Sequence, residues 1–283
     1  MKAEGRAQTQ QSIYGVGVGL RPQHFSYIFK HRPKVPWFEI LTDNYLVDGG
    51  PMLSRLEKIR ADYPIVMHGV GLSIGSTDPL NINYLKKIRQ LMEFIHPTFV
   101  SDHLCWSSIH GRYFHELLPL PYTEEALNHV VARVEQVQEI LGTQILLENV
   151  SSYITYREST MTEWEFLTEI SKKSGCLILL DINNIYVSAY NHHFDCQKYL
   201  NHIPVDRVAQ FHMAGCKDYK NYLLDSHGES IQSPVLNLYQ QAIKRFGAIP
   251  TSLERDNNIP EFNVLFNEAQ QLQEMMNECI YVA

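Results

Sequence analysis

The chain has 283 residues, 24 Lys and Arg against 31 Asp and Glu for a formal charge of −7, and 45% hydrophobic residues. That apolar content excludes disorder, and no apolar run approaches the ~18–20 residues of a membrane span. The polar opening Met1–Gln11 lacks the apolar core of a secretory signal, and five cysteines without a CxxC pair predict a reducing, cytoplasmic setting.

In chain order, short apolar runs alternate with stretches of helical spacing. Tyr14–Val18 precedes a helix-like Pro22–Lys30, Trp37–Leu41 precedes Pro51–Arg60, and Pro64–Met67 precedes Ile82–Ile95. Thr98–Ser101 leads to a helix that Thr123 caps and Gly142 stops. Gln144–Leu147 leads to one with a Thr162/Glu165 capping box and a C-terminal Gly175. Leu177–Leu180 precedes Asp195–Ile203, Arg207–Phe211 precedes a helix from Ser233 to Gly247, and Pro250–Leu253 precedes one opened by Pro260. Each run is too short for a helix and has the character of a strand buried on both faces. Eight such strand–helix pairs predict an α/β fold, a single parallel (β/α)8 barrel over residues 1–283. A doubly wound open sheet is the alternative. It would carry a Gly-rich phosphate turn, and Gly15-Val16-Gly17-Val18-Gly19 lacks the full fingerprint and its following acid. Glycines opening a tight barrel strand account better for that segment.

The residues closing the strands form a series. Glu39 lies in the second; His68, His103, Glu148, Asp181, His212 and Glu254 end the next six. In a barrel these ends converge on one mouth. Glu148, Asp181, Glu254 and the loop residue Asp225 then share a cavity with Arg255 as the nearest basic group. Confined carboxylates repel one another, and multivalent cations are the natural compensation. His68, His103, His212 and His227 supply neutral nitrogen. Oxygen and imidazole donors without thiolate favour iron, manganese or zinc. The donors exceed the needs of one ion, so two or three ions with bridging carboxylates are expected.

Asp225 and His227 are two residues apart and point the same way if that loop is extended. His192 and His193 point apart, so at most one enters the site. His24, His31, His96, His110, His129 and His202 are expected at the surface, while His115 stays open. Cys105 and Cys216, close to His103 and His212, are read as packing rather than redox groups. Asn44, Tyr45 and Tyr186 are candidates for the cleft or its rim.

The stretches GVGVGLR (15–21), WFEILTDNY (37–45), HGVGLSIGS (68–76), SDHLCW (101–106), LLPLPYTEEAL (117–127), LLENVSSY (146–153), LLDINNIYVSAYNH (179–192), FHMAGC (211–216), DSHG (225–228) and LERDNNIP (253–260) resemble, in order, the multinuclear non-haem iron-dependent oxidative enzymes. The best-known relative is the iron subunit of methanobactin biosynthesis. The resemblance implies a TIM-type, xylose-isomerase-like barrel holding two or three irons in mixed Fe(II)/Fe(III) states. It implies O2-dependent oxidation of Cys residues in a ribosomally made precursor peptide, to oxazolone–thioamide or related products, with a small leader-recognition partner protein. By the same resemblance, His68, His103 and a bridging Glu148 form one iron site. Glu148, Asp181, His212 and Glu254 form a second. Asp181, Asp225 and His227 form a third, where Asn184 replaces a further ligand found in some relatives. Glu148, Asp181 and Asn184 are the expected catalytic residues.

The same donor order is similar to that of trinuclear zinc abasic-site endonucleases, and sugar isomerases share the fold. Asn184 departs from the nuclease pattern, and the charge of −7 suits a duplex groove poorly. Neither nucleic acid nor membrane is therefore expected as a partner. A non-enzymatic alternative is a metal-binding subunit that only presents peptides.

Overall fold

The computed structural model describes residues 12–281, so the polar opening Met1–Gln11 lies outside the described residues. Strand β1 (Val16–Gly19) is followed by α1 (Phe25–His31), β2 (Phe38–Leu41) by α2 (Pro51–Arg60), and β3 (Ile65–His68) by α3 (Ile82–Ile95). After β4 (Val100–His103) comes a hairpin, β5 (Trp106–Ile109) and β6 (Arg112–Leu118), and then α4 (Glu124–Leu141). Next are β7 (Leu146–Glu148), α5 (Glu163–Ser174), β8 (Leu177–Asp181), α6 (Ile182–His192) and α7 (Cys196–His202). The chain continues through β9 (Val208–Met213), a ribbon of β10 (Lys217–Asp218) and β11 (Leu223–Leu224), α8 (Ser233–Phe246), β12 (Thr251–Leu253) and α9 (Phe262–Tyr281).

The expected barrel is present. Strands β1, β2, β3, β4, β7, β8, β9 and β12 close into one parallel cylinder, with β1 pairing to both β12 and β2. Helices cover the outside, so the strands are buried on both faces and read as continuous apolar runs. Close packing explains the glycines of β1. A Cβ on Gly17 would lie 2.4 Å from the Trp37 ring, which fits only because that atom is missing. The caps follow the sequence: Thr123 accepts from the Ala126 amide, and Thr162 with Glu165 completes a capping box.

Register places the site. His68 is level with Ser101, His103 with Glu148, and Asp181 with His212, so the polar closing residues form one layer at the C-terminal rim. Three elements went unread in the sequence: the β5–β6 hairpin, the β10–β11 ribbon, and α6. Helix α6 starts directly at Asp181, whose carboxylate caps it by accepting the Asn184 amide at 2.6 Å. His192 therefore ends a helix instead of sitting in a loop. His24 corrects the surface expectation, being buried with Nε2 donating to the Pro260 carbonyl at 2.9 Å. Among the described residues, no helix is long and apolar enough to cross a membrane.

Candidate metal centre

His68, His103, Glu148, Asp181 and His212 are the buried last or near-last residues of β3, β4, β7, β8 and β9, and Glu254 directly follows β12. Asp225 and His227 come from the loop after β11. Glu148 Oε2 is 3.2 Å from Nε2 of both His68 and His103, and those two nitrogens are 3.3 Å apart. The other oxygen of Glu148 is 3.4 Å from His212 Nδ1, which is 3.2 Å from Glu254 Oε2. His227 Nδ1 lies 3.4 Å from the same Glu254 oxygen. Donor atoms cluster closely in four overlapping groups: His68/His103/Glu148, His68/His212/Glu254, Glu148/Asp181/His212 and Asp181/His227/Glu254. Asp225 belongs to none of these groups. Its oxygens take hydrogen bonds from Asn183 at 2.8 Å and Ser151 at 3.1 Å, and it reaches the cluster through His227 Nε2 at 2.7 Å.

The hydrogen bonds around the imidazoles define their tautomers. Ser101 Oγ donates to the Met67 carbonyl, so His68 Nδ1–H donates to that hydroxyl, at 2.8 Å. His103 Nδ1–H donates to the Gly69 carbonyl at 3.1 Å, and His227 Nδ1–H to Asp256 Oδ2 at 3.1 Å. The rings of His68 and His103 therefore turn an Nε2 lone pair into the cluster, while His227 turns its Nε2 toward Asp225. The Nε2 lone pairs of His68 and His103 face each other across 3.3 Å, which is repulsive unless a cation lies between them. Glu148 Oε2, Asp181 Oδ2, His212 Nδ1 and His227 Nε2 are buried with no hydrogen-bond partner among the described residues. Each such group costs about 1–3 kcal/mol. These orphaned atoms fit divalent or trivalent ions as the missing partners.

Burial, then the neighbouring His103 and His212, holds His68 well below the ordinary histidine range. Burial also opposes charge on His212, but Glu254, Glu39 and Glu148 together push it well above that range. His227 is raised against burial by Asp225, Asp256 and Glu254. Asp181 is pushed well up by burial and by the charges of Glu148 and Asp225.

A cavity of about 210 Å³ opens over the cluster, walled by Arg21, Leu41, Leu117, Val150, Asn184 and Asn257 among others. The Asn184 amide donates to the Asn149 carbonyl at 3.0 Å, and its buried Oδ1 has no hydrogen-bond partner among the described residues. Several candidates fall elsewhere. Asn44 is exposed, Tyr45 is buried in the hydrophobic core, and Tyr186 borders a separate recess with Cys216. Cys105 is buried, and Cys216 packs with Val187 and Leu223, its thiol pushed up to about 11 by burial. His192 bonds Ser152 away from the cluster, and His115 is exposed. The supporting residues Ser101, Asp256 and Arg21 were missed. Arg21 ion-pairs with Asp256, which in turn holds His227. The one sequence signal for Asp256 is its place two residues after Glu254.

Residues 15–277 match the family model described as RiPP precursor modification enzyme MbnB/TglH/ChrH. A UPF0276 protein of Acaryochloris marina is 52% identical over 260 residues, covering 92% of this chain and 94% of that one. The structure of a D-tagatose 3-epimerase-like protein superposes with a TM-score of 0.59 at 19% identity, covering 95% of this chain and 97% of that one. A xylose isomerase-like TIM barrel protein from Mycobacterium smegmatis gives 0.60 at 9% identity, covering 94% and 97%. At such identities the two structures speak for the fold alone.

Proposed function

The chain belongs to the RiPP precursor modification enzyme family MbnB/TglH/ChrH, and from that premise we propose that it is a multinuclear iron, O2-dependent oxidase of cysteine residues in a ribosomally synthesised precursor peptide. A small leader-binding partner protein presents that peptide. The observation that carries the metal centre is the set of buried nitrogens and carboxylate oxygens facing one another without hydrogen bonds, with Glu148 between two halves of the set.

His68, His103 and Glu148 hold one ion; Glu148, Asp181, His212 and Glu254 hold a second; Asp181, Asp225 and His227, with Asn184 alongside, hold a third. Oxygen and imidazole donors without thiolate suit iron. Bound iron supplies dioxygen activation and a Lewis acid for the substrate thiolate. The protein's own part is to orient and exclude. Ser101, Gly69 and Asp256 aim three imidazoles, and Leu41, Leu117 and Val150 wall the cavity against water. Asn184, in the first turn of α6, faces the space a cysteine side chain would enter, and Asp181 lies buried just before it.

The test is anaerobic iron loading, addition of the cognate Cys-bearing precursor peptide with its partner protein, and then oxygen. Oxygen uptake with a change in peptide mass is the expected outcome. Iron-loaded protein that leaves the peptide unchanged, or colourless zinc-loaded protein that nicks abasic DNA, would overturn the proposal.

A further inference from the structure

We infer that Glu39 acts as a positioning residue: it fixes His212 as an Nδ1 donor and so sets the affinity of the metal position that His212 shares with Glu148, Asp181 and Glu254. The inference rests on the metal centre proposed above.

His212 is the exception among the four imidazoles. The other three give Nδ1–H to a hydroxyl, a carbonyl or a carboxylate, and His68 and His103 turn Nε2 inward. His212 is reversed. Its Nδ1 faces Glu148 and Glu254 and has no hydrogen-bond partner among the described residues, while its Nε2 points the other way, toward β2. There Glu39 places both carboxylate oxygens 3.0 Å from Nε2. Gln210 anchors that carboxylate, its Nε2 donating to Glu39 Oε2 at 2.5 Å.

Glu39 is not itself placed as a ligand. It contributes to none of the four donor groups, and its oxygens lie against the nitrogen of His212 that faces away from Glu148 and Glu254. A carboxylate accepting from Nε2–H leaves the lone pair on Nδ1, selects that tautomer and makes the nitrogen a stronger donor. Neutral acceptors serve His68 and His103, so losing the Glu39 charge weakens the His212 position selectively.

The experiment uses the full chain, stripped of metal and titrated with Zn(II), in wild type and Glu39→Gln. Histidine ¹⁵N spectra report the tautomer, and competition with a chelator reports affinity. The wild type is expected to show His212 protonated on Nε2 and zinc-bound through Nδ1. Glu39→Gln is expected to lose roughly 10–100-fold in affinity at one position, with the His68 and His103 resonances still zinc-shifted. A wild-type His212 bound through Nε2 would overturn the inference whether or not the variant folds. So would a folded Glu39→Gln with unchanged affinity. If zinc shifts none of the four histidines, the metal centre itself is wrong and Glu39 falls with it, a result distinct from the other two.

Discussion

Glu148 turns its two oxygens in different directions, Oε1 lying 3.4 Å from His212 Nδ1 while Oε2 meets Nε2 of His68 at 3.2 Å. A carboxylate so placed serves two metal positions at once. Replacing it with Ala is expected to lower occupancy at both together, whereas Asp225→Asn spares both, since Asp225 stands outside the close donor groups. Metal analysis of the two purified variants decides this. Glu148→Ala with full metal content, or Asp225→Asn with the deeper loss, would remove Glu148 as the bridge.

Protonation opposes metal loading at this centre. His212 and His227 are held above the ordinary histidine value of 6.5 by surrounding carboxylates that outweigh burial. A folded-state histidine value raised in this way contributes stability below 6.5 that is lost as pH rises through the raised value. Asp181, also raised, acts in the same direction. His68, lowered, acts in the opposite direction, but only below 6.5. The metal-free protein is therefore expected to lose stability as the medium becomes alkaline, and the loaded protein to resist that loss. Ions at 100 times their dissociation constant stabilise by about 2.7 kcal/mol, worth roughly 5–10 °C in a domain of this size. Melting curves against pH, with chelator and with metal, check both statements. Equal slopes for the two forms would count against these assignments.

The barrel was legible because parallel strands covered on both faces read as bare apolar runs, and the first polar residue after each run marks the mouth. That rule marks His68, Glu148, Asp181, His212 and Glu254, the Asp225/His227 spacing marks two more, and His103 stands one place beyond Asp102, the first polar residue after its run. What stayed hidden depends on contacts across space. Ser101 and Asp256 matter only because register sets Ser101 beside His68 and a loop sets Asp256 against His227. Helix α6 escaped notice because Asp181 both ends β8 and caps the helix, leaving no turn between them. His24 was misjudged because its ring packs edge-on to Phe262, far along the chain.

Glu163, in the first turn of α5, offers a prediction independent of metal. It is buried, accepts from the Tyr199 hydroxyl at 2.8 Å, and is pushed up to about 7 by burial against the hydrogen bonds of Tyr199 and Tyr122. An acid raised in this way binds its proton more tightly when folded, so the fold gains stability as pH falls from about 7 toward 4.5. Gln mimics the protonated form. Glu163→Gln is expected to stabilise by roughly 1–3 kcal/mol at alkaline pH and to do little near pH 5, without altering metal content. Denaturant unfolding at the two pH values is the measurement. A variant destabilised at high pH would mean that Glu163 is held as a needed carboxylate.

Asn184 tests the third metal position. It lies three residues after Asp181, its main-chain amide bonds Asp181 Oδ1 at 2.6 Å, and its side chain reaches the cavity with an Oδ1 that has no hydrogen-bond partner among the described residues. An amide oxygen is a weaker donor than an imidazole, so this position is expected to be the loosest of the three. Asn184→His gives up the bond from Nδ2 to the Asn149 carbonyl, worth about 1 kcal/mol. In exchange it places a second imidazole near Asp181 and His227. Tighter retention of the last metal equivalent against a chelator is the expected outcome, with a slightly lower melting temperature in the metal-free state. If the variant holds no more metal than the wild type under the same chelator, Asn184 faces no third ion, and the centre is better described as binuclear.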